Sequence, residues 1–127
     1  MVGIVVVSHS AELARGVAQL ASQMAGPDVQ IEVAGGGPGG TLGTDDGLVR
    51  DAIRRANKGD GVIVLGDLGS AILTIRHVLE RQSNGNAVLV DAPLVEGAVA
   101  AAVVASVGCE LADVVRAAEE ARGASKL

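Results

Sequence analysis

The sequence predicts an α/β protein with an open, mainly parallel four-stranded sheet in the order 2-1-3-4 and helices on both faces. Three observations predict it. Short apolar runs rich in Val and Ile alternate with stripes of helical period, the pattern of strands joined by crossover helices. Residues 2–7 (Val-Gly-Ile-Val-Val-Val) offer no polar side chain, as in a strand covered on both faces. Residues 29–33 instead alternate Val29, Ile31 and Val33 with Gln30 and Glu32, the signature of a half-exposed edge. With an edge second strand and right-handed crossovers, 2-1-3-4 is the simplest order.

The elements follow in turn. After the first strand, Leu13, Val17, Leu20, Ala21 and Met24 recur at helical spacing until Gly26-Pro27 ends the helix. The edge strand leads into a glycine-rich loop, residues 35–46. Leu48, Val49, Ala52, Ile53 and Ala56 make a second helical stripe, and residues 61–65 a short buried strand. Ala71, Ile75, Val78 and Leu79 mark the third helix. Ser83-Asn84-Gly85-Asn86 reads as a turn, residues 87–90 as the fourth strand, and residues 94–122 as two Ala-rich helices.

Composition narrows the function. The chain has 127 residues and a formal net charge of −5, with no Phe, Tyr or Trp. Val, Ile, Leu and Ala must build its core. Without aromatic side chains there is no base-stacking platform, and an acidic balance opposes binding to a phosphate backbone, so nucleic acid is excluded as a partner. A lone Cys109 forms no internal disulfide, and the N-terminus lacks a signal-peptide pattern. The longest apolar run, residues 97–107, is shorter than the roughly 20 residues a membrane-spanning helix needs. One cytoplasmic domain over residues 1–127, without membrane contact, is expected.

The chemistry concentrates where two strands end. His9 follows the first strand and Asp67 the third, so the order 2-1-3-4 puts both at the topological switch point, the crevice where open α/β sheets bind ligands. A neutral imidazole attacks phosphorus through one nitrogen while the other keeps its proton; a carboxylate accepting that proton fixes tautomer and ring orientation. Asp67 suits that role. Ser8, Ser10 and the N–H groups opening the first helix are placed to receive phosphate oxygens. The plainer alternative makes His9 and Asp67 mere helix caps.

Residues 35–46 (Gly-Gly-Gly-Pro-Gly-Gly-Thr-Leu-Gly-Thr-Asp-Asp) lie at the same sheet end. Gly35, Gly37 and Gly40 have dinucleotide-fingerprint spacing but follow the second strand, and the loop has no P-loop lysine, so neither nucleotide motif applies. Its glycines, Gly39 and Gly40 among them, allow backbone to approach a phosphorylated His9, and Thr44 offers a hydroxyl. A flexible loop with Thr44, Asp45 or Asp46 capping the next helix weighs equally. His77 stands among Arg76, Glu80 and Arg81 as part of a solvated face. Cys109 reads as a packed small residue, and Glu110, Asp113, Arg116, Glu119, Glu120 and Arg122 as another solvated face. No metal-ligand spacing and no cofactor motif is found.

These residues resemble a known family. The strand ending Val-Ser-His-Ser, followed by Ala-Glu-Leu-Ala and Gly16, is similar to the mannose-type enzyme IIA family of the sugar phosphotransferase system. Leu65-Gly66-Asp67-Leu68-Gly69-Ser70-Ala71 and Leu42-Gly43-Thr44-Asp45 resemble, more narrowly, its dihydroxyacetone kinase branch, the DhaM phosphotransferase subunits. The mannose branch usually carries Trp and Gly-Gly-Ser-Pro after the aspartate; Leu68-Gly69-Ser70-Ala71 departs from that pattern. The resemblance covers nearly the whole chain. It implies a phosphocarrier: His9 accepts a phosphoryl group from HPr and passes it to ADP on the kinase's nucleotide-binding subunit, with Asp67 orienting His9. Ser10, Gly39, Gly40, Thr44, Gly69 and Ser70 are then the candidate phosphate contacts. A homodimer is also implied, through third-strand and helix surfaces or the C-terminal helices, and activities of HPr and enzyme I type come from separate proteins. The competing readings are a mannose-type sugar-transporter subunit and a non-catalytic doubly wound binding module.

Overall fold

Strands rich in Val and Ile need both faces covered, and the chain supplies a helix after each one. In a computed structural model, which describes residues 1–82 and 85–127, β1 (Gly3–Ser8), β2 (Ile31–Gly35), β3 (Val62–Gly66) and β4 (Ala87–Leu89) form one sheet. Its order is β2-β1-β3-β4 and every pairing is parallel, as predicted. The helices are α1 (Ala11–Ala25), α2 (Asp46–Ala56), α3 (Gly69–Arg81), α4 (Leu94–Ser106) and α5 (Leu111–Glu120).

Strand alternation divides the core between the two faces. Ile4, Val6, Ile63 and Leu65 pack with α1, α4 and α5. Val5, Val7, Val62 and Val64 pack with α2 and α3. All eight are fully buried, and each large aliphatic side chain so placed contributes about 1.5–3 kcal/mol. No aromatic residue shares this load.

Several expectations change in detail. Helix α1 buries Ala14, Val17 and Ala21 and leaves Leu13, Leu20 and Met24 exposed, because it lies against the alanine face of α4, where Ala98, Ala101, Ala102 and Ala105 are buried. Small residues let the two backbones approach, so the smaller side chains of α1 face inward. Leu48 likewise remains exposed while Val49, Ala52, Ile53 and Ala56 are buried. The third strand has no free surface for a dimer contact, since β3 is buried throughout and lies between β1 and β4. Within the glycine-rich loop, Pro38–Gly40 form one 3₁₀ turn. Half of the expected turn before β4, Ser83 and Asn84, lies outside the described residues.

No helix among the described residues is long and apolar enough to cross a membrane. Cys109 is half-buried and packs against the core on the α4–α5 side. Asp45 caps α2, its carboxylate accepting from the N–H groups of Gly47 and Leu48.

Candidate functional site

Two residues, His9 and Ser10, connect β1 to α1. Ser10 is the N-cap: its backbone is extended and its Oγ accepts the Leu13 N–H at 3.2 Å. His9 is thereby held just outside the helix, at the carboxyl end of the sheet. The parallel register sets Val7 opposite Gly66, so the next residue of the third strand, Asp67, arrives beside Ser8 and His9. The Asp67 N–H donates to the Val7 carbonyl at 3.2 Å.

Asp67 is 11% exposed and accepts four hydrogen bonds. Its Oδ2 receives the Ser8 hydroxyl at 2.8 Å and the His9 N–H at 3.0 Å. Its Oδ1 receives His9 Nδ1 at 2.9 Å and the Leu68 N–H at 2.7 Å. Burial by itself would raise the acidity constant of this carboxyl. The bonds from the Ser8 hydroxyl, the His9 ring and the two backbone N–H groups outweigh that burial and hold the pKa below the ordinary carboxylate value. An ionised carboxylate only accepts, so in the neutral imidazole Nδ1 carries the proton and Nε2 keeps its lone pair. The ring is 23% exposed, and the Ser70 hydroxyl lies against Nε2.

Ser8 is fully buried, the one buried polar residue of the core. Its Oγ donates to Asp67 and accepts the Ser10 N–H at 3.0 Å. Both of its functions are internal, so its hydroxyl braces the dyad and does not face the cleft as the sequence suggested.

The glycine-rich loop is stitched to the same turn. Gly36 donates to the Ser8 carbonyl and Gly43 to the His9 carbonyl, both at 3.1 Å. Gly35 permits the approach: a Cβ there would lie 2.6 Å from Ala11 Cα. Beside His9 opens a cleft of about 460 Å³, lined by Ser10, Ala11, Glu12, Arg15, Gly40, Thr41 and Leu42.

Ser10 and Gly40 therefore share the cleft with His9, and Ser70 contacts its ring. Gly69 opens α3, whose N-terminus carries no side-chain cap. The positive ends of α1 and α3 both converge here. Gly39, at a positive φ of 69° in the 3₁₀ turn, is not among the cleft residues, and neither is Thr44. The Thr44 hydroxyl pairs with Thr74 Oγ1 at 2.7 Å, tying the loop to α3. His77 is half exposed, meeting Asp46 at 2.6 Å and accepting from Arg81. Sequence reasoning overlooked Arg15 and Thr41. A basic residue four positions after Ala11, on the same helix face, was the available signal for Arg15.

The arrangement is that of a positioned nucleophile: an outward ring nitrogen, a carboxylate behind it, and helix N-termini on two sides. Among the described residues, no cluster of three or more His, Cys, Asp or Glu could hold a metal ion.

Comparison with known proteins places this geometry. A crystal structure described as that of "unknown function protein EF1359" superimposes with a TM-score of 0.88 at 32% identity, covering 99% of this chain and 98% of the other. In Listeria innocua, the phosphoryl donor subunit DhaM of PEP-dependent dihydroxyacetone kinase 1 is 42% identical over 100 residues, covering 79% of this chain and 78% of that protein. The DhaM phosphoryl donor subunit of the Escherichia coli PEP-dependent dihydroxyacetone kinase is 40% identical over 121 residues, covering 91% of this chain but 26% of that longer protein. Residues 3–115 match the family model EIIA-man, the PTS system fructose IIA component. From the first strand into the last helix the sequence follows that family, and the chain belongs to it.

Proposed function

We propose that this protein is the phosphoryl-donor subunit of a dihydroxyacetone kinase driven by phosphoenolpyruvate, and that it carries the phosphoryl group on Nε2 of His9. The observation that carries this reading is the saturated Asp67 carboxylate, which leaves Nδ1 as donor and Nε2 as the free lone pair. The DhaM names of the Listeria and Escherichia relatives support the triose branch over a sugar-transporter subunit.

In the loading step, Nε2 attacks the phosphorus of phosphohistidine on HPr. The Nε2–P bond forms as the P–N bond to the donor ring breaks. The Nδ1 proton stays in place, and Asp67 balances the positive charge that the ring acquires. In the unloading step, a β-phosphate oxygen of ADP on the kinase's nucleotide subunit attacks the same phosphorus and the Nε2–P bond breaks. Imidazole serves in both directions because it is both nucleophile and leaving group near neutral pH. Limited exposure of the ring suits a partner that must align its own group with Nε2.

Ser70 swings from Nε2 to donate to the phosphoryl oxygens, together with the N–H groups of Gly69 and Ser70 at the uncapped start of α3 and the Ser10 hydroxyl. Gly40 lets the loop backbone approach. The chain acts as a single carrier domain over residues 1–127, in the cytoplasm and as a homodimer, without nucleic acid, membrane or cofactor. Incubation with phosphoenolpyruvate, enzyme I and HPr tests the reading. One acid-labile phosphoryl group, absent from His9→Ala, is the expected result; full labelling of that variant refutes it.

A further inference from the structure

We infer that Arg15 is the cation that holds the phosphoryl dianion while it moves to and from His9, a role that rests on the carrier reading above. The cleft beside His9 contains one positively charged side chain, Arg15, and one carboxylate, Glu12. Asp67 stands behind the ring. A phosphoryl group arriving at Nε2 thus brings negative charge to a site already holding two carboxylates, and Arg15 alone in the cleft offsets it.

Pairing elsewhere on the surface sets Arg15 apart. Arg54, Arg55, Arg116, Arg122 and Lys126 each lie within ion-pair distance of a carboxylate. Arg15 has no such partner among the described residues, although Glu12 lines the same cleft. Its guanidinium is therefore free to bind an incoming anion. Helix geometry favours the direction: side chains on a helix lean toward its N-terminus, and the N-terminus of α1 is where His9 sits. Arg15 is one turn beyond Ala11, also a cleft residue. A planar fork of N–H donors matches two phosphoryl oxygens at once, which a point charge does less well.

Phosphoramidate is the probe, because it is a small dianionic donor that needs no protein docking surface. Nε2 attacks its phosphorus, the P–N bond breaks, and ammonia leaves. Labelling rates are measured against phosphoramidate concentration for the wild type, Arg15→Gln, Arg15→Lys and His9→Ala, with ³¹P NMR to identify phosphohistidine. Loss of a charge-assisted contact predicts labelling of Arg15→Gln at least about tenfold slower at low donor concentration, mainly through a higher KM. Arg15→Lys should recover most of the rate. Because Arg15 is exposed, the melting temperature should not move. Equal rates for wild type and Arg15→Gln, with label still lost in His9→Ala, overturn the Arg15 assignment alone. A wild type that takes no label from phosphoramidate or from the complete relay overturns the carrier reading and this inference together.

Discussion

Replacing Asp67 by Asn removes one charge and changes almost no volume, so its effect is traceable bond by bond. The carboxylate serves four donors through two oxygens; the amide offers a single oxygen and an NH2 group. With the amide oxygen at the Oδ2 site, Ser8 and the His9 N–H keep their acceptor. The NH2 then faces the Leu68 N–H and donates to Nδ1, moving the ring proton to Nε2 and removing the nucleophilic lone pair. With the oxygen at the Oδ1 site, the ring keeps its tautomer and the His9 N–H is stranded. Either orientation leaves one backbone donor unsatisfied, a cost of about 1–3 kcal/mol, or roughly 3–10 °C in Tm for a chain of this size.

Phosphorylation should slow by at least about tenfold through loss of the charge that balances the imidazolium. If the tautomer also inverts, the slowing approaches the about 10⁴-fold seen when a catalytic-triad aspartate is changed in the same way. Rapid-quench labelling from HPr measures the rate, and ¹⁵N shifts of the His9 ring identify the tautomer. The stability difference also has a pH signature. Folding depresses the Asp67 pKa below its ordinary value of 3.8, so its contribution is complete above that value and is lost as pH falls through the folded-state pKa. Wild type and Asp67→Asn should thus differ at neutral pH and converge in acid. A labelling rate within twofold of wild type and an unchanged Tm at pH 7 would refute the reasoning.

Two further substitutions separate the brace of the site from the frame. Ser8→Ala strands the Ser10 N–H and removes one donor from Asp67, with an expected loss of about 1–3 kcal/mol by urea denaturation and a smaller slowing of labelling than Asp67→Asn. A labelling defect as large as that of Asp67→Asn would show that Ser8 does more than support the carboxylate. On the frame, Leu20→Ala on the exposed side of α1 should cost less than about 1 kcal/mol, whereas Leu65→Ala in β3, at 0% exposure, should cost about 2–5 kcal/mol. Similar losses for the two would refute the assignment of the buried face of α1.

The candidate dyad was legible because it depends on strand order. His9 and Asp67 are 58 positions apart, yet each directly follows a strand, and adjacency of β1 and β3 in a parallel sheet brings both to one edge. Ser8 was misread because a serine beside a histidine at a strand end looks like a ligand donor from sequence alone. Its burial follows from β1 being interior along its whole length. Arg15 was passed over because its place depends on how the glycine-rich loop folds back beside α1, and Gly36 and Gly43 anchor that loop through backbone bonds that no side-chain pattern records. Thr44 turned toward Thr74 for a similar reason, since the loop's path is set by packing against α3.

By itself the sequence determined the α/β class, the strand order, the edge position of β2 and the meeting of His9 with Asp67. Those follow from local periodicity and from chirality rules that act on every parallel crossover. Only the tertiary structure decided which face of α1 is buried, because that choice depends on the alanine face that α4 presents to it. It also decided which nitrogen of His9 faces outward. That outcome comes from counting donors around one carboxylate, and those donors reach Asp67 from the end of β1, from the following turn and from the start of the α3 segment, segments that only folding brings together.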